Sequence, residues 1–216
     1  MMATQRAAKS AAGRRGDGRS PARRADAERN IAAIVSAGVE LLSANPNVSM
    51  AEVARQAGVG RVTLYAHFPS REVLVEAVVA RTIREAETLL AEQNLDSLPA
   101  DEGVEVLLRA SWPVLDRFRR VRVAAQAELG EERLRRQHDE AFAHVDRLVS
   151  RGRREGVFRT DLPRAWLVTT VYAMLHAAAD EVEAGRLKPG KASELLVTTV
   201  GSLLRGPSRE STVTGG

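Results

Sequence analysis

Between Ser49 and Ser70 the sequence is punctuated closely enough to fix the local architecture: two short helices joined by a turn that contains glycine. Ser49-Met50-Ala51-Glu52 is a capping box, in which the serine oxygen accepts from the Glu52 amide while the Glu52 carboxylate reaches back. A short helix follows to Ala57 with Val53, Ala54 and Ala57 facing inward, and Gly58 supplies the left-handed residue that ends it. A second short helix is predicted from about Arg61 to Phe68. Pro69-Ser70 breaks it, and Ser70 caps the helix after it.

The same signals divide the rest of the chain. Ile31, Ile34, Val35, Gly38, Leu41 and Leu42 fall at helical spacing on a helix predicted to begin near Asp26 and to stop at Asn45-Pro46-Asn47. After Ser70, Leu74, Ala77, Val78, Leu89 and Leu90 carry a helix to about Asn94. Five more helices are expected near 101–119 (kinked at Pro113), 121–128, 131–155, 163–184 and 189–204. Strand-like alternation is absent save for Val157-Phe158 in a connector, and aromatics make up only 4% of the chain. The expected fold is all-α with about nine helices: an N-terminal three-helix unit over residues 25–70 and a second helical unit over 71–205.

Composition excludes several functions. There is no cysteine, hence no disulfide framework, thiolate zinc site or cysteine nucleophile. His138, His144 and His176 have no metal-ligand spacing, and Glu140 with His144 reads as a solvated helix face beside Arg135, Arg136 and Asp139. Neither a glycine-rich phosphate loop nor a nucleophile elbow occurs, so no catalytic residue, metal or cofactor is expected. The longest nearly apolar stretch, Ala165 to Ala179, is interrupted by His176 and closed by Arg164 and Asp180, too short to span a bilayer. A cytoplasmic protein follows. The charge is uneven: residues 1–24 hold Arg6, Lys9, Arg14, Arg15, Arg19, Arg23 and Arg24 against Asp17 alone, more positive charge than the +4 of the whole chain. Such an arm, expected to be disordered like the tail from 206 to 216, suits a polyanion partner or simple solubility.

Two short helices about a glycine turn form the arrangement in which a second, recognition helix enters the major groove of DNA. Arg61 and Thr63 sit where side chains reach base edges or phosphates, and Tyr65 and His67 carry polar tips. The run from Met50 to Leu74, with Ala57-Gly58-Val59, Thr63-Leu64-Tyr65, His67-Phe68 and Ser70-Arg71-Glu72, closely resembles the signature of the tetracycline-repressor (TetR) family. The tight resemblance covers residues 26–90 and beyond them extends only to helix number and length. It implies that Ser49 meets a phosphate, that Arg61, Val62 and Thr63 face the major groove, that Tyr65 and His67 contact phosphates, and that Arg71 clamps the backbone. For Phe68 core packing is the reading. The sequence departs from the family at Gly60, where serine often caps the recognition helix, and at Val62, where a small residue is usual and valine suits a thymine methyl. Arg23 and Arg24 either enter the minor groove or stay solvated.

In the second unit, helices 163–184 and 189–204 have broad apolar surfaces, from which Leu167, Val171, Leu196, Val200 and Leu203 are assigned to a homodimer interface built as a four-helix bundle; the alternative is an intrachain core. Trp112, Phe118, Phe142, Trp166, Tyr172 and His176 are candidates to line an effector pocket, with plain core packing as the alternative for each. The resemblance thus implies a dimeric transcriptional regulator on a near-palindromic double-stranded operator, by family default a repressor, released when a small apolar effector favours a state with wrongly spaced recognition helices. Two other readings remain at this point. One is an architectural, nonspecific DNA-binding protein that relies on the basic arm; the other is a helical ligand carrier.

Overall fold

The computed structural model describes residues 21–137 and 139–206, with side-chain surroundings for 22–137 and 143–206. Within them the chain is all-helical: α1 (Pro21–Ala44), α2 (Met50–Gln56), α3 (Arg61–His67), α4 (Arg71–Ala91), α5 (Ala100–Leu129), α6 (Glu131–Arg136), α7 (Asp139–Arg154), α8 (Arg164–Glu183) and α9 (Pro189–Arg205). A single 3-10 turn, Leu95–Ser97, links α4 to α5. No strand occurs among the described residues.

Three boundaries differ from the sequence reading. Helix α1 starts at Pro21, so Arg23 and Arg24 lie in its first turns, not in a disordered arm. Proline suits a first helical position, where its missing N–H has no intrahelical acceptor to lose. Helix α5 is one 30-residue element in place of two, and it continues through Pro113. An interior proline costs about 3 kcal/mol, but α5 buries Val104, Leu107, Leu108 and Trp112 before it and Val114, Phe118, Val121, Ala124 and Ala125 after it. At the expected break near residue 120, Arg119, Arg120 and Arg122 are tied down by Asp116, Glu183 and Asp180. Conversely, the helix expected over 131–155 is two. Helix α6 closes at Gln137, whose amide donates to the Leu134 carbonyl at 3.2 Å.

Apolar burial falls into two clusters that share α4 and α5. The first joins Ile34, Leu42, Val53, Leu64, Phe68, Leu74, Val75 and Val78 to Val114, Phe118 and Val121 of α5. The second joins Leu90, Val104, Leu107, Leu108 and Trp112 to α7, α8 and α9. Helix α4 therefore starts in one core and ends in the other, and the division expected at residue 70 runs through a continuous cluster. Helices α1 and α4 touch at Gly38, where an added Cβ would lie 2.7 Å from Val78 Cγ2.

The dimer assignment is corrected here. Leu167, Val171, Leu196 and Val200 are buried in the second cluster, and Leu203 packs half-buried against it. The intrachain alternative holds for Leu167, Val171, Leu196 and Val200, because α5 and α7 already cover that face of the α8–α9 pair. What α8 and α9 expose is another surface: Trp166 at 59% and Leu195 at 51% exposure, with Thr169, Ala173 and Ala177 on α8 and Thr198, Thr199 and Ser202 on α9.

Candidate nucleic-acid interface and effector cavity

The short helices are set by their ends. The capping box of α2 is formed: Glu52 N donates to Ser49 Oγ at 3.3 Å, and Ser49 N donates to Glu52 Oε2 at 2.8 Å. The Ser49 hydroxyl and backbone hydrogen bonds hold the exposed Glu52 carboxyl below its ordinary range. Gly58 sits at φ +68°, a conformation that L side chains resist, and turns the chain from α2 into α3. Gly60 precedes α3 without a side-chain cap, as its lack of a hydroxyl requires.

On α3 the inward residues are Leu64 and, just past its end, Phe68, both in the first cluster. That fixes the opposite face. Val62 is 86% exposed and Tyr65 49% exposed; Arg61 is exposed and Thr63 and His67 are half-buried. Ser49 is exposed at the start of α2. Arg71, expected to clamp DNA, is engaged within the chain itself. Its Nε donates to Glu128 Oε1 at 2.8 Å, Nη2 to the Pro46 carbonyl at 2.5 Å, and Nη1 to the Val48 carbonyl. It is a strut that ties the α1–α2 loop to α5.

The second site is a partly open cavity of about 120 Å³ lined by α4, α5 and α8, with Leu134 of α6. Three sequence candidates line it: Phe118, Tyr172 and His176. Tyr172 and His176 stack edge to face with centroids 4.1 Å apart, and burial pushes the Tyr172 phenol up to about 12. Trp112 is not in the lining; it is buried with Nε1 donating to the Pro189 carbonyl at 3.2 Å. Trp166 faces outward, and the Phe142 side chain lies outside the described residues. Sequence reasoning missed Arg119 and Arg122, which line the cavity from α5. The arginine-dense stretch from Arg117 to Arg122 was the available signal, although a helix boundary was expected within it.

Comparisons with known proteins agree with this geometry. Residues 34–78 match the family model of bacterial regulatory proteins, tetR family. Over 94 residues the chain is 33% identical to the HTH-type transcriptional regulator EthR of Mycobacterium tuberculosis, a match covering 43% of this chain and 42% of that protein. The chain thus matches less than half the length of its curated relative. Among solved structures, the TetR-like regulator LfrR of Mycobacterium smegmatis, in complex with proflavine, aligns with a TM-score of 0.60 at 18% identity over 83% of this chain and 99% of that one. A TetR-like regulator from Rhodococcus sp. RHA1 gives 0.61 at 17% over 82% and 97%. FadR of Bacillus subtilis, in complex with stearoyl-CoA, gives 0.64 at 17% over 80% and 98%. These likenesses establish a shared fold, and residues 34–78 are similar to the tetR family of bacterial regulatory proteins.

Proposed function

We propose that the protein is a sequence-specific transcriptional regulator that binds a near-palindromic operator as a homodimer and is released by a small molecule bound between α4, α5 and α8. The observation that carries this reading is the outward face of α3. A valine with 86% exposure gains nothing from its own fold. Flanked by Arg61, Thr63 and Tyr65, it has the composition of a surface that reads base edges and a thymine methyl. Ser49, Tyr65 and His67 are assigned to phosphates, while Arg71 acts only through the loop it holds. The DNA-reading unit is residues 25–70 completed by the first half of α4, and the remaining helices form the effector and dimerisation unit.

The dimer is assigned to the exposed face of α8 and α9, centred on Trp166 and Leu195 with the small residues Ala173, Ala177 and Thr199 between them. Small residues let helices of two protomers approach closely, and an exposed tryptophan supplies an anchor. In that geometry recognition helices about 34–36 Å apart meet successive major grooves, so a shift of a few ångströms defeats binding. Related folds solved with proflavine and with stearoyl-CoA support the cavity as the effector site. The protein acts by binding rather than by catalysis, in the cytoplasm where its operator lies.

The test is recovery and sequencing of genomic fragments bound by the purified protein, followed by salt-controlled titration of the enriched site. A recurrent palindrome, bound far more tightly than random DNA of equal length, is the expected result. Equal affinity for both would overturn sequence specificity and favour architectural binding.

A further inference from the structure

The cavity wall is electrically one-sided. Its lining residues are apolar except for Thr82, Ser111, Tyr172, His176, Arg119 and Arg122; no aspartate or glutamate is among them. The acids that balance these arginines stand behind them. Asp180 accepts from Arg122 Nη1 at 2.9 Å, and Glu183 accepts from Arg119 Nε at 2.6 Å. Asp180 is 55% exposed, so water screens it, whereas the Arg122 side chain is only 13% exposed. Arg122 Nε is moreover buried without a hydrogen-bond acceptor. A buried N–H on a cation that has lost its water is costly, and an arriving acceptor recovers that cost. Tyr172, whose phenol burial pushes further up, contributes to the same lining.

Size narrows the choice. A cavity of about 120 Å³ is close to the roughly 150 Å³ that accommodates a benzene ring. We propose that the effector is a small organic monoacid: an apolar body about the size of one ring, with its carboxylate directed at Arg122. This rests on the reading of the cavity as the effector site. A carboxylate buried among apolar groups needs a paired, hydrogen-bonding cation, which a guanidinium supplies through charge-assisted bonds. A cationic ligand of the same shape meets two like charges and no carboxylate among the lining residues. A neutral one leaves the charge of Arg122 unanswered on the cavity side.

Three isosteric probes separate these cases: benzoate, benzamide and benzylamine, titrated calorimetrically into the full chain without DNA. Benzoate is expected to bind about tenfold or more tighter than benzamide, and benzylamine weakest. In Arg122→Met, which keeps the stem and removes the charge, the benzoate advantage should vanish while benzamide binding persists. Should that variant fail to fold, Arg122→Lys keeps the charge but removes the Nε donor, and the advantage should shrink. Benzamide or benzylamine matching benzoate in the unaltered protein, no benzoate binding at millimolar concentration, or an unchanged benzoate advantage in a folded Arg122 variant would each overturn the proposal. DNA enters none of these measurements. Benzoate held through Arg122 without any effect on operator affinity would instead refute the switch and leave the ligand class standing.

Discussion

At the level of single residues, Thr63 and Arg71 look alike in sequence, as polar positions in a DNA-reading segment, yet the structure separates them. Thr63 lies half-buried on α3 with no partner that its removal would orphan among the described hydrogen bonds. Arg71 closes three internal bonds, two of them to loop carbonyls. Thr63→Ala should therefore weaken operator binding by about 1–3 kcal/mol with the melting temperature unchanged. Arg71→Ala should lower stability by about 1–3 kcal/mol and weaken DNA binding through the loop. Thermal melts beside titrations on one operator decide it; an Arg71→Ala protein that melts like the parent would return this arginine to the DNA. The identities and caps were legible in the sequence because capping boxes and glycine turns are local chemistry: Ser49, Glu52 and Gly58 do what their spacing says. The role of Arg71 was not, since Glu128 lies 57 residues away.

At the level of elements, helical periodicity located the inward faces of α1 and α4 but not the division of labour on α8. Helix α8 is apolar on two sides, with Leu167, Val168, Val171 and Leu175 inward and Trp166, Ala173 and Ala177 outward. A sequence pattern states that a face is apolar but not whether its own chain or a second copy covers it, and the larger side chains were chosen for the interface when they belong to the core. The two faces now give opposite phenotypes. Trp166→Glu or Leu195→Glu should yield folded monomers with near-parental melting that bind the operator poorly. Leu196→Glu places a charge in the core and should cost on the order of 4 kcal/mol of stability. Light scattering and circular dichroism read both; folded dimers from Trp166→Glu and Leu195→Glu would remove this face from the interface. The continuous α5 escaped the sequence for a related reason. The arginines at the expected boundary are paired with residues on α8, and only the tertiary fold brings those carboxylates near.

At the level of the whole molecule, the basic arm and the coupling between sites give separate tests. Residues 1–20 carry Arg6, Lys9, Arg14, Arg15 and Arg19; removing them should lower affinity on every sequence and flatten the salt dependence by up to about 0.9 log units per lost phosphate contact. An unchanged slope would show that the arm does not touch DNA. Arg120 stands between the two sites and offers a route for coupling that can be tested. Its Nη1 donates to the carbonyl of Ala44, the last residue of α1, at 2.7 Å, while its Nε meets Glu183 at the end of α8 at 3.2 Å. Glu183 also holds Arg119, which lines the cavity. One ionic cluster therefore joins the effector helix to the end of the first DNA-domain helix. Burial works against the Glu183 carboxylate, but the hydrogen bonds from Arg119 and Arg120 outweigh it and keep its pKa below the ordinary 4.5. By linkage, the cluster's contribution is present above that ordinary value and is lost as pH falls through the lowered one. An effector that releases DNA must itself bind the DNA-bound protein more weakly by the same factor, commonly about 5–150-fold. Arg120→Ala removes the link while leaving the α3 surface and the cavity lining in place. Effector and operator should each still bind the variant alone, but the factor by which each weakens the other should fall towards one. A variant with the full parental factor would show that the signal travels by another route, through α4, which alone runs from one apolar cluster into the other without crossing Arg120.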